Sequence, residues 1–120
     1  MVREIIKKDF QFLEKDVLGV LIYGSYAKKE TTPRSDIDIC IVIGSLSSPG
    51  EMRKLLSIVW RNVNINKKNY DVKIFEELPL HIKIEVIEDG KVIIGKKPEI
   101  YEYFYKFRKM WNDQKHRQKL

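Results

Sequence analysis

Residues 21–42 read LIYGSYAKKETTPRSDIDICIV: one apolar run closes on Gly24-Ser25, and ten residues later Asp36-Ile37-Asp38 opens a second. β-Branched and large apolar side chains fill 17–23 and 37–43, whereas 28–35 hold Lys, Glu, Thr, Pro and Arg with no apolar period. Two strands and a connecting loop follow. Strand side chains alternate, so Asp36 and Asp38 project from one face and Ile37 and Ile39 from the other. Carboxylates held that close repel until a cation neutralises them, and hard oxygen ligands select Mg²⁺ or Mn²⁺ over zinc. Gly24 lacks a Cβ and lets a phosphate approach the backbone. Ser25 offers a hydroxyl and a cap for a short helix whose free N–H groups attract anions. Each half alone is a common surface feature; their pairing between two apolar strands makes the pattern specific.

The 120 residues suffice for one domain with a core and are too few for two. With 43% hydrophobic and 33% charged residues the composition is globular with a heavily charged surface. The formal charge of +6 is uneven, because Lys106, Arg108, Lys109, Lys115, Arg117 and Lys119 against Asp113 leave the remainder near neutral. That argues against a domain-wide nucleic-acid surface, and nucleic acid is not the favoured partner. We expect a single domain over 1–111 and a basic tail over 112–120. The one cysteine, Cys40, excludes an internal disulfide and a Cys-based zinc site, and reads as a buried small hydrophobe. No apolar leader or membrane-length run occurs, so the expected location is the cytoplasm with no membrane partner.

Around the central stretch, residues 2–16 place Ile6, Phe10, Leu13 and Val17 at helical spacing. A short helical turn follows Gly24-Ser25, and Arg34 reads as an exposed loop arginine with a triphosphate contact as the alternative. Ser48 before Pro49 reads as a helix N-cap, and Met52, Leu55, Leu56, Val59, Trp60 and Val63 form a wide apolar stripe that assigns Trp60 to the core. Residues 70–75 alternate as a third strand with Asp71 and Lys73 on one face. Residues 76–89 fit both a strand alternation and, from Pro79, a helix face. Gly90 ends that segment, and 91–95 form a last edge strand. Pro98 opens a final helix with Ile100, Phe104, Phe107 and Trp111 inward, fraying from Asn112. His81 reads as exposed, and His116 carries no role.

Gly24-Ser25, ten residues, then Asp36-Ile37-Asp38 resembles the signature of the minimal nucleotidyltransferase (MNT) domains of the DNA polymerase β superfamily. Ala27, Ser35 and the apolar run after Asp38 fit as well, while Lys29 stands where that family usually has glycine. The resemblance implies an α+β fold, a mixed sheet of about four strands with helices packed on it as in a polymerase β palm. It favours a helix within 76–89 ahead of a short strand. By position it makes Asp71 the third carboxylate.

The resemblance implies two Mg²⁺ ions, with Mn²⁺ as a substitute, held by Asp36, Asp38 and Asp71 as metal ligands and catalytic residues. Gly24 and Ser25 would hold the outer phosphates of the nucleoside triphosphate, ATP. Stand-alone MNT proteins are antitoxins that transfer AMP from ATP to a tyrosine of a HEPN ribonuclease toxin, and the same activity and partner are expected here. Two other readings stay open: nucleotidyl transfer to RNA or a small hydroxyl compound, and a non-enzymatic antitoxin that acts by occlusion.

Overall fold

β1 (Gly19–Tyr23) is buried at all five positions, because it lies between two other strands and beneath helices on both faces. The computed structural model describes residues 2–27, 36–45, 47–64 and 68–118, the side chains of 2, 25, 26 and 116–118 excepted. β1 pairs antiparallel with β2 (Ile37–Val42) on one side and with β4 (Lys91–Ile94) on the other. β3 (Tyr70–Ile74) pairs parallel with β2, giving the order β3-β2-β1-β4 and the expected mixed sheet of four strands.

Strand alternation divides the core into two clusters. Ile6, Phe10 and Leu13 from the N-terminal segment and Val59 and Val63 from the end of α3 (Pro49–Asn62) cover Val20, Ile22, Ile39 and Ile41. On the opposite face, Ile84 and Ile87 of α4 (Leu80–Asp89) and Ile100 and Phe104 of α5 (Lys97–Gln118) cover Leu21, Tyr23, Cys40 and Val42. Phe75, fully buried, stacks 4.8 Å from Phe104 and stands edge-on to Phe107 at 5.2 Å. Cys40 is completely buried, as expected of a small hydrophobe.

The capping logic of α3 holds: the Ser48 hydroxyl accepts from the Glu51 N–H at 3.1 Å with Pro49 opening the helix. The segment 76–89 resolves as the end of a 3₁₀ turn, Phe75–Glu77, followed by the helix Leu80–Asp89 ended by Gly90, and 91–94 as an edge strand. Three expectations are corrected. The first helix, α1, is only Val2–Phe10 and passes into a 3₁₀ turn, Gln11–Leu13. The tighter period brings Phe10 and Leu13, three residues apart, onto one line, and both are buried. Trp60 is not core: Met52, Leu55, Val59 and Val63 already fill the inward line of α3, and Trp60 lies about 100° further round, 67% exposed. The final helix does not fray at Asn112 but runs to Gln118, since no glycine or proline interrupts it.

Candidate active site

The chain turns sharply where β1 ends. Gly24 has φ +70°, a left-handed conformation that a side chain disfavours, and from it the short helix α2 (Gly24–Ala27) begins. A Cβ on Gly24 would collide with the Asp38 carboxylate. Glycine is therefore required twice here, for the backbone angle and for the space the carboxylate occupies.

Strand register then aligns the site. Tyr23 lies opposite Asp38 across β1 and β2, and Asp38 lies opposite Asp71 across β2 and β3. Adjacent strands are about 4.8 Å apart, and paired residues project to the same face, so two carboxylates stand side by side over the sheet. The sequence expectation that Asp71 joins the Asp-x-Asp strand is met in the pairing itself. Asp36 precedes β2 and is exposed, so it belongs to the mouth of this row rather than its floor. Among the described residues no three His, Cys, Asp or Glu side chains converge into a ready-made metal cage.

The electrostatics follow from that row. Burial raises the Asp38 carboxyl above its usual range, and the charges of Asp71, Asp36 and Glu85 push it the same way against Lys73. Burial likewise raises the Tyr23 phenol, helped by Cys40 and Asp38. Lys73 is the counter-charge beside Asp71 among the described residues; its Nζ lies 3.8 Å from Oδ1 with both side chains well exposed, a weak pair. Among the described residues the row thus offers the carboxylate oxygens of Asp38 and Asp71, with Asp38 packed against the Cβ-less face of Gly24. That composition fits a hard divalent cation and not zinc.

Two residues escaped the sequence reading. Glu85 lies on α4 between buried Ile84 and Val86, and its charge bears on both Tyr23 and Asp38. A charge between two inward apolar residues was its signal. Glu76 anchors the chain just beyond β2: its carboxylate accepts from the N–H groups of Ile43 at 3.1 Å and Gly44 at 3.0 Å, and from the Tyr103 hydroxyl of α5 at 2.7 Å. Below it, Lys83 donates to the Leu78 carbonyl at 2.6 Å and lies over the Phe75 and Phe107 rings. His81 is exposed, as expected. The Ser25 hydroxyl, the His116 side chain and residues Lys29, Arg34 and Ser35 lie outside what is described, so the phosphate contact expected of Ser25, the exposed-loop reading of Arg34 and the departure at Lys29 have no structural counterpart here.

Comparison with known proteins adds sequence and fold likeness. The family profile described as Polymerase beta, Nucleotidyltransferase matches residues 4–99. A Methanocaldococcus jannaschii protein, provisionally named a protein adenylyltransferase, is 50% identical over 101 residues, 84% of this chain and 75% of its own length. Among solved structures, a toxin–antitoxin crystal structure with AMP-PNP superposes with a TM-score of 0.75 at 15% identity, covering 99% of this chain and 94% of that one. A complex described as a tri-AMPylated Shewanella oneidensis HEPN toxin with its MNT antitoxin superposes at 0.67 and 14% identity, covering 98% and 89%. At those identities the structural matches speak for the fold.

Proposed function

This chain belongs to the polymerase β nucleotidyltransferase family, and from that premise we propose that it transfers AMP from ATP to a tyrosine hydroxyl of a HEPN-type toxin, with Mg²⁺ as the metal. The observation that carries the proposal is the register that sets Asp38 opposite Asp71, with the Asp38 carboxylate packed against Gly24. The adenylyltransferase relative supports AMP as the transferred group, and the AMPylated toxin complex, similar in fold, supports the partner.

In the reaction the acceptor oxygen attacks the α-phosphorus of ATP. The new O–P bond forms as the bond to the β-phosphate oxygen breaks, and pyrophosphate leaves in line with the attack. Asp36, Asp38 and Asp71 would hold the metal, which when bound would supply positive charge to the attacking and leaving oxygens. Asp71, on the row's outer end and open to solvent, meets the acceptor and takes the hydroxyl proton at a carboxylate oxygen. Gly24 and the start of α2 would receive the outer phosphates at their backbone N–H groups. Ser25 assists there with its hydroxyl. Tyr23, paired with Asp38 and projecting to the same face, packs the inner side of that carboxylate.

Incubation with ATP, Mg²⁺ and a HEPN-type protein, followed by intact-mass measurement of both chains, tests the proposal. The expected result is an added AMP on the partner, located on tyrosine. A tight complex in which neither mass changes contradicts transfer.

A further inference from the structure

β3 stands at the end of the strand order and pairs, among the described residues, with β2 alone. The Ile37 N–H donates to the Asn69 carbonyl at 2.8 Å. Peptide groups along a strand alternate between its two sides, so Asn69, Asp71 and Lys73 turn theirs toward β2 while Tyr70 and Val72 turn theirs outward. Along that outward side lies a cavity of about 960 Å³, walled by Trp60, Arg61 and Val63 at the end of α3 and by Tyr70, Asp71 and Val72 of the strand. Its volume is at the upper end for small-molecule sites, and its floor is a main-chain edge, the feature that recognises an extended peptide. Trp60, the indole that the core leaves 67% exposed, stands on the rim as an aromatic anchor.

We propose that an extended segment of the acceptor polypeptide docks along β3 as an additional strand, its backbone paired with Tyr70 and Val72, its accepting hydroxyl residue opposite Asp71, and a neighbouring side chain on Trp60. This rests on the transfer reading above and adds where the acceptor sits. In an added strand the residue opposite Asp71 projects to the face that carries Asp71 and Asp38. Its two neighbours project to the opposite face, where α3 presents Trp60. Charge selects the class of occupant. Arg61 and Lys73 are exposed cations in the lining, but Lys73 lies 3.8 Å from Asp71, and a chain laid along β3 runs past the paired carboxylates of Asp71 and Asp38, which a phosphodiester backbone would meet with like charge. An uncharged peptide backbone meets no such barrier.

The test uses the full chain, the HEPN-type protein of the previous experiment and, as the rival class, a short single-stranded RNA. Backbone amide exchange is followed with and without each, and AMP transfer is measured for Trp60→Ala and Val72→Pro. The first removes an exposed side chain; the second removes an outward N–H, a change that edge strands tolerate. Slowing of the Tyr70 and Val72 amides by the HEPN protein, and a fall of roughly tenfold or more in kcat/KM through KM in both variants, is expected. The variants should keep the Tm rise produced by Mg²⁺ and ATP. If Val72→Pro does not fold, Trp60→Ala and the exchange data decide. Unchanged exchange at these two amides, wild-type KM in Trp60→Ala, or slowing by RNA alone overturns the proposal. Slowing without AMP transfer keeps the groove and refutes the transfer reading, whereas transfer without slowing does the reverse.

Discussion

Replacing Asp38 by asparagine should stabilise the metal-free protein and abolish its response to Mg²⁺. The side chains of Asp38 and Asp71 rise from directly paired residues on strands about 4.8 Å apart. Two unit charges about 5 Å apart repel by about 3 kcal/mol at an effective dielectric of ~20 and by about 1 kcal/mol in bulk water. The Asp71 side chain is 44% exposed, so solvent screening places the real repulsion near the lower figure, about 1 kcal/mol. In a domain of this size that corresponds to a Tm rise of roughly 3–5 °C on neutralising Asp38. The pH dependence has the same sign. Because burial and then the neighbouring carboxylates raise the Asp38 carboxyl, its protonated form favours the fold. That contribution is complete below the unfolded value near 3.8 and is lost as pH rises through the higher folded value. Saturating Mg²⁺ reverses the ranking, since a cation at 100 times its Kd stabilises the wild type by about 2.7 kcal/mol and finds one carboxylate fewer in the variant. Differential scanning at pH 7, with EDTA and with Mg²⁺, reads both effects. A lower Tm for Asp38→Asn in EDTA, or an undiminished Mg²⁺ response, refutes the reasoning.

Three further outcomes follow from other contacts. Gly24→Ala should lower stability by about 1–2 kcal/mol from the left-handed φ and more from the clash with Asp38, and should erase the ATP-induced Tm rise; urea melts with and without nucleotide check it. Glu76→Gln should cost about 2 kcal/mol or more, because a charged acceptor of two N–H groups and the Tyr103 hydroxyl is weakened, while Tyr103→Phe should cost about 1 kcal/mol, both read from denaturant midpoints. Burial works to raise the Asp9 carboxyl, but hydrogen bonds from Lys68 and Tyr70 outweigh it and hold the group below its usual range. Its contribution is therefore present above the unfolded value near 3.8 and is lost as pH falls through the folded one, so Asp9→Asn should flatten the acid limb of the stability curve.

The strands and their carboxylates were legible because Asp36-Ile37-Asp38 and the alternation around Asp71 encode a face directly. That Asp71 would join them followed from its position in the third strand, but the register that sets it opposite Asp38 was not legible, since only the strand pairing decides which residues become direct neighbours. In 76–89 the apolar residues fit two periods at once. The structure shows why: α4 is covered on one side by β1 and on the other by α5, so Ile84, Val86 and Ile87 are all buried although no single stripe contains them. Trp60 was misread for the opposite reason, an apolar residue on a helix whose inward line was already full. Glu76 gave no periodic signal, because its partners are the N–H groups of residues 43 and 44, more than thirty positions away. The extent of α5 turned on the absence of a breaker, which an apolar count past Asn112 does not register.

The central claim is that the paired carboxylates of β2 and β3 perform nucleotidyl transfer. Its most direct measurement is the rate at which label moves from the α-phosphate of ATP to the HEPN-type protein, compared among wild type, Asp71→Asn and Asp38→Asn, each shown by circular dichroism to be folded. Label on the partner with wild type, and a loss of roughly a hundredfold or more in each variant, is the predicted result. Wild-type rates in a folded Asp38→Asn or Asp71→Asn would contradict it.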